Sequence, residues 1–252
     1  MVQDKKEHSV HRLYQYRKSI SSKPFTARGK NLLRCELCLL GKQFCTCEYR
    51  SQLSTKAAFM LLMYDDEVLK PTNSGRLIAD LVPDTWAFLW RRTEVDEQML
   101  ALIKHPDFMP FVVFPGEYAA PEQVVHQAIS EEMLAGKRPL FIMLDGCWRE
   151  AVKMFRKSPY LAGLPLLSFD AGELARYALR KGQRDFQFGT AEVAAMVLGA
   201  MGESHNSAQL ATWFDLFVES TLLGRNRRPG ACLDERHRLI ARFNEGQAPI
   251  SG

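Results

Sequence analysis

The sequence predicts an α/β fold: a mostly parallel sheet with helices on both faces, behind a small N-terminal cysteine knuckle. Three observations carry this. The run from Pro139 to Leu144 is apolar without alternation, the mark of a strand buried on both faces. It stops at Asp145-Gly146, and Trp148, Ala151, Val152 and Phe155 then fall on one helix face. Further apolar runs alternate with helical patterns along the chain, as in stacked strand–helix units.

Taken in order, residues 1–34 are polar and basic, with Leu13, Tyr14, Tyr16 and Ile20 suggesting a short helix. Residues 57–64 form the first central strand. Thr72 to Leu81 is a turn opening a helix, with Asn73 or Ser74 as its N-cap. Strands are expected at 86–90, 111–114 and 164–169, and helices at 95–103, 121–134, 148–157, 191–201 and 210–223. Thr190 is expected to cap the helix at 191–201, with Glu192 near its positive end. Three parts follow: a basic arm and knuckle over 1–55, a catalytic domain over 56–225, and a basic, mobile tail over 226–252.

The 252 residues are 46 % hydrophobic, enough for one large core, and the formal net charge is +4. No apolar run approaches the roughly 18–20 residues of a membrane span, and no signal-peptide pattern opens the chain. A cytosolic protein with no membrane partner is expected, and a monomer is favoured. Before Arg34, nine basic residues counting Arg34 itself face only Asp4 and Glu7. Such an arm suits a polyanion, or is simply a solvated terminus.

Disulfides are rare in the cytosol, so six cysteines need another account. Cys35, Cys38, Cys45 and Cys47 form a C-x2-C knuckle and a C-x-C pair within thirteen positions. Four thiolates at this spacing can close a tetrahedral Zn²⁺ site, and four protein ligands make it structural.

The candidate ligand turns follow residues 64, 114, 145 and about 169, all on one edge of a parallel sheet. Asp145 is held at the end of a buried strand, where it either meets a ligand or caps the next helix. Gly146 allows a tight turn or a close approach to a ligand. The turn of Asn73, Ser74, Gly75 and Arg76 offers backbone N–H groups to an anion, or is an ordinary cap. Neither G-x-G-x-x-G nor G-x4-G-K-[ST] occurs, so dinucleotide and nucleoside-triphosphate modes are unsupported.

Together these pieces resemble the DTW-domain family over about residues 30–225. The four-cysteine knuckle precedes the domain. The stretch from Thr72 to Leu77 looks like the family's T-N-[ST]-G-R-L element, and Phe114-Pro115 like its F-P segment. Leu144 to Trp148 sits where D-x-T-W belongs, with Cys147 in place of the usual threonine. Tyr177 to Arg180 and Thr190 to Glu192 resemble the Y-x-L-R and T-x-E-A elements. The literal Asp84-Thr85-Trp86 is a decoy, because it precedes a strand and lacks the strand–turn–helix context.

The resemblance implies a SPOUT-like fold, a class that includes chains knotted around the cofactor. It also implies an S-adenosylmethionine-dependent transferase that moves the 3-amino-3-carboxypropyl group to N3 of a tRNA uridine and releases methylthioadenosine. On that reading Asp145 is the base or orients N3–H, and Trp148 stacks on a base or the adenine, or anchors its helix. The turn at Asn73 to Arg76 holds the cofactor's carboxylate. Phe114, Pro115, Gly116, Leu179, Arg180 and Thr190 line the adenosine, and Asp145 and Gly146 also contact the cofactor. Tyr177 and Arg180 alternatively meet RNA, while the arm, the knuckle and Arg225, Arg227 and Arg228 hold tRNA phosphates. The rivals are a SPOUT-like RNA methyltransferase and a catalytically inactive zinc-knuckle RNA-binding protein.

Overall fold

A strand that is apolar at every position is stable only where both its faces are covered, and the sheet meets that condition. The computed structural model describes residues 7–22, 32–170, 172, 188–226 and 232–247. Within them, β1 (Ala58–Met63), β2 (Thr85–Leu89), β3 (Phe108–Val113), β4 (Val125–His126), β5 (Arg138–Asp145) and β6 (Leu166–Leu167) form one six-stranded sheet. Its order is β2-β1-β5-β3-β6-β4 and every pairing is parallel. After β2 the chain returns across β1 to start β3, and β5 fills the gap between β1 and β3. The carboxyl end of β5 therefore lies at the reversal of strand order, where open α/β sheets bind ligands.

The pleat divides the core into two layers. Phe59, Leu61 and Met63 point one way with Phe111, Val113, Phe141 and Met143. They pack under α2 (Arg76–Leu81), α6 (Thr190–Ala200) and α7 (Ser204–Asn226). Phe59, Phe141 and Phe111 make a row across β1, β5 and β3, with centroids 5.7 and 6.0 Å apart. Ala58, Met60, Leu62, Leu140 and Ile142 point the other way, against α3 (Glu97–Ile103) and α5 (Trp148–Arg156).

The N-terminal helix α1 (Ser9–Ser19) is docked onto this body. His8 Nε2 lies 3.1 Å from Asp80 Oδ1, and Arg17 makes a forked pair with Asp65 at 2.8 and 2.7 Å. Asp80 is buried on α2, where it also meets Arg50 at 2.6 Å and accepts from Trp213 Nε1 at 3.1 Å. One carboxylate thus joins the arm, the segment after the knuckle, α2 and α7. Burial works to raise its pKa, but Arg50, His8 and Trp213 overcome this and hold it below the usual range.

Several sequence expectations are corrected. The 121–134 segment is not one helix: only α4 (Glu131–Leu134) is helical, and Val125 and His126 pair with β6. Val124, Val125 and Ile129 have helix-like spacing, but the free edge of β6 offers β-branched residues a better partner. The strand at 164–169 is reduced to two residues. The helix expected at 210–223 extends over all of α7. Thr190 is the first residue of α6 rather than its cap, which is Gly189. The mobile tail is corrected over 234–245, where α8 (Asp234–Glu245) buries Leu239 and Phe243, the latter 4.8 Å from Trp213. The α8 pattern was hidden by its charge, since its apolar residues are few and widely spaced. A knotted crossing between β6 and α6 involves residues outside those described.

Truncating Phe243 to Ala should destabilise the protein by about 3–5 kcal/mol, a core-cavity cost that a mobile tail would not show. Denaturant unfolding followed by tryptophan fluorescence measures it directly.

Candidate active site and metal centre

Asp145 ends β5 with its side chain turned inward, 3 % exposed. Three segments converge on it. Asn73 Nδ2 donates to Oδ2 at 2.7 Å and Thr190 Oγ1 donates to Oδ1 at 2.5 Å. Gly75 lies so close that a Cβ there would overlap Oδ2. The backbone carbonyl of Asp145 accepts from Tyr64 N–H at 2.9 Å, which continues the β1–β5 ladder by one residue. Asp145 caps nothing. The N-cap of α5 is Cys147, whose N–H is taken by Glu150 at 2.7 Å. Glu192 likewise takes the Gly189 N–H at 2.8 Å, so both helices flanking Asp145 start on a third-position glutamate.

Burial pushes the Asp145 carboxyl up to about 6, and the nearby Glu67 charge adds to the rise. Bonds from Thr190 and Asn73, and the charge of Arg76, pull the other way and lose. Among the described residues no cation forms an ion pair with it. Glu67 escaped the sequence reading; its one signal was an acidic turn at the carboxyl end of β1, beside β5. Its Oε1 lies 3.4 Å from the same Asn73 amide that serves Asp145.

Arg76 differs from expectation. It is buried and donates to the carbonyls of Asn73, Lys70 and Val68 at 3.3, 3.2 and 3.5 Å. Its guanidinium shapes the 68–73 loop and is not free for a ligand carboxylate. Asn73 Oδ1 accepts Arg76 N–H at 3.2 Å, so Asn73 acts both as the helix cap and as a partner of Asp145. Ser74 sits beside Gly189, where an added Cβ would lie 3.0 Å from its Oγ.

Trp148 is 55 % exposed, which excludes a role as a buried anchor. It stacks on Phe114 at 5.6 Å with 7° between the rings, and Tyr118 meets it edge-on at 5.6 Å. Pro115 and Gly116 follow Phe114 in the turn after β3, where Gly116 N–H donates to Ser168 Oγ at 2.8 Å. Gly146 faces Tyr64 and Glu150, whose Cβ atoms would lie 3.2 and 3.1 Å from an added Cβ. The structure thus gathers Asn73, Gly75, Asp145 and Thr190 into one set and Phe114 with Trp148 into another. Tyr177, Leu179, Arg180, Arg227 and Arg228 lie outside the described residues. An open pocket of about 720 Å³ lies at the opposite edge, near Lys56, Glu131 and Glu203. Thr55, the Lys56 N–H and Asn206 already satisfy the Glu203 carboxylate.

The four sulfurs of Cys35, Cys38, Cys45 and Cys47 lie within 4.8 Å of one another. Cys35–Cys47 and Cys38–Cys45 are 3.8 and 3.7 Å apart, close to the roughly 3.8 Å edge of a tetrahedron with 2.3 Å metal–sulfur bonds. Leu39 is held at φ +59°, a left-handed conformation costly for a leucine and kept only where the surroundings impose it. Cys38 is pushed up to about 12 by its bond to Cys45, and Cys47 is pushed up by Cys38 and Cys45; Cys45 is lowered. A dication relieves that crowding, so the donor set fits a metal such as zinc. His11 Nε2 lies 3.2 Å from the Glu36 carbonyl, and Arg236 donates to the Cys45 carbonyl at 3.2 Å, tying α1 and α8 to the knuckle.

The sequence matches the DTW domain over residues 32–222, most of its length. The chain belongs to the DTW domain family. No solved structure matches it. Both Asp84-Thr85-Trp86 and the Asp145 turn fall inside that match; the first lies at the start of β2, and only the second has a strand–turn–helix context.

Because Asp145 has its pKa raised on folding, the folded state binds the proton more tightly than the unfolded chain. Its contribution is full at low pH and is lost as pH rises through the window from 3.8 to about 6. At neutral pH the buried charge costs on the order of 2–3 kcal/mol. Asp145→Asn should therefore raise the melting temperature at pH 7.5 and flatten its dependence between pH 4 and 6. Thermal melts across that range decide it; a lower melting temperature at pH 7.5 contradicts the assignment.

Proposed function

We propose that this DTW protein is a tRNA-uridine aminocarboxypropyltransferase, with Asp145 driving deprotonation of uridine N3. The observation that carries this is a desolvated carboxylate, raised to about 6, at the carboxyl end of the central strand. Such a group is ionised at neutral pH yet basic enough to take a proton. S-adenosylmethionine supplies a γ-carbon activated by its sulfonium and leaves as methylthioadenosine.

Asp145 is too buried to meet a base edge directly in this state, while Thr190 is half-exposed and already hydrogen-bonded to it. The Thr190 hydroxyl takes the N3 proton and passes its own to Oδ1 of Asp145. N3 then forms its bond to the γ-carbon, and the C–S electron pair stays on sulfur. Asn73 holds Oδ2 and fixes the carboxylate plane. Trp148 stacks on the uridine, with Phe114 supporting the indole from behind. With Arg76 occupied, the backbone of the 73–76 turn is left to meet the cofactor's carboxylate. The knuckle holds one Zn²⁺ in a structural role. The reaction takes place in the cytoplasm, with tRNA as the partner.

Mass spectrometry of nucleosides from unmodified tRNA, after incubation with protein and S-adenosylmethionine, tests the reading. An aminocarboxypropyl gain with methylthioadenosine release is expected; a methyl gain or no product rejects it. The log of kcat/KM should rise with pH and level off near 6, as the base ionises. Asp145→Asn should lose about 10²–10⁴-fold in turnover, and Thr190→Val should lose comparably if it relays the proton. Elemental analysis should find one zinc per chain, and a strong chelator should lower the melting temperature by several degrees.

A further inference from the structure

Helix α5 carries more than the signature tryptophan. Arg149, Lys153, Arg156 and Lys157 are all exposed, and their spacing of four, three and one residues places them along one face. The stripe spans roughly 12 Å of helix axis. Glu150 is the one acid between 147 and 157, and its carboxylate is engaged by the Cys147 N–H. Among the described residues none of the four cations pairs with a carboxylate. Of the arm's described cations, Arg17 pairs with Asp65 and Asp66, and Arg34 donates to the Leu39 carbonyl.

Helix stability explains only part of the stripe. Cations near a helix C-terminus complement its dipole, which accounts for Lys153, Arg156 and Lys157. Arg149 lies in the first turn, where a positive charge is unfavourable. Aromatic rings flank the stripe. Lys153 Nζ lies 3.1 Å from Tyr64 OH and 5.6 Å from the Trp90 ring centroid, and the Arg156 guanidinium lies 5.7 Å from that of Tyr118. Exposed Trp148 heads the same helix. Cations interleaved with aromatics form the recognition chemistry of single-stranded nucleic acid.

We propose that the outer face of α5 is the surface on which the single-stranded RNA flanking the target uridine lies, with Arg149, Lys153, Arg156 and Lys157 on its phosphates. This rests on the reading of Asp145 as the centre acting on a uridine. It moves the main phosphate contacts from the N-terminal arm to the helix that begins at the signature.

The test is binding of an unmodified tRNA transcript without S-adenosylmethionine, measured across a salt series. The Arg149→Ala, Lys153→Ala, Arg156→Ala triple variant should bind about tenfold or more weakly at 0.1 M salt, with the salt slope reduced by about 2. Its melting temperature should stay that of the parent. The charge-retaining triple Arg149→Lys, Lys153→Arg, Arg156→Lys should keep its affinity. Lys104→Ala with Lys137→Ala, which removes charge at the opposite sheet edge, should also bind as the parent does. An unchanged affinity and slope in the first triple overturns the proposal, as does an equal loss in the Lys104, Lys137 pair. So does unchanged tRNA binding with lost retention on anionic vesicles, which would mark a membrane-facing surface. Because no turnover is needed, loss of binding in the triple supports the surface even if the parent makes no aminocarboxypropyl product.

Discussion

The architecture depends on keeping one carboxylate dry. Asp145 has to leave water, and among the described residues no cation forms an ion pair with it, so its two oxygens accept from neutral donors of the right shape. Asn73 arrives from the turn after β1, Thr190 from the first residue of α6, and Gly75 gives the room that any side chain would take away. Each segment would be unremarkable alone. A glutamate-capped helix start on either side, through Glu150 and Glu192, fixes where those donors stand.

A second buried carboxylate shows what the first is not. Asp80 is as deeply enclosed as Asp145, but Arg50 and His8 meet it, and its pKa falls where that of Asp145 rises. Both sit in one protein at similar burial, so burial alone does not set the outcome; the partners do. Asp80 is a structural joint that no proton needs to visit. Among the described residues Asp145 has no ion-pair partner, an arrangement that costs stability and that catalytic groups characteristically keep.

Much of this was legible in the sequence because the parallel sheet writes itself plainly. Unbroken apolar runs located β1 and β5, and Asp145 at the end of β5 followed from the abrupt stop at Gly146. The cysteine spacing pointed to the candidate metal site, since four thiols in thirteen positions leave few alternatives. Other features depend on distant partners and have no local signature. The pairing of Val125 and His126 is decided by an edge strand about forty residues later. The burial of Arg76 reflects carbonyls turned inward by the 68–73 loop, although its motif suggested an open anion site. Helix α8 is obscured by the charged residues around its short apolar stripe of Leu239, Ile240 and Phe243, the last of which meets Trp213. Glu67 has no local signature because its influence on Asp145 acts through space, from the turn that follows β1.

The same geometry places Cys147 away from the Asp145 carboxylate. If a hydroxyl at that position were a partner of Asp145, its loss would strip a donor from the buried carboxylate. The oxygens of Asp145 accept instead from Asn73 and from the hydroxyl of Thr190. Cys147 is exposed at the N-cap of α5, and its own N–H is already taken by Glu150. Its side chain therefore bears on the start of the helix and not on the charge state of Asp145. A weaker cap costs roughly 1 kcal/mol, small beside the energy invested in burying Asp145. The hydroxyl that matters to the carboxylate is carried forty-five residues downstream, on a different helix. A cysteine at 147 therefore leaves both side-chain donors to the Asp145 carboxylate in place.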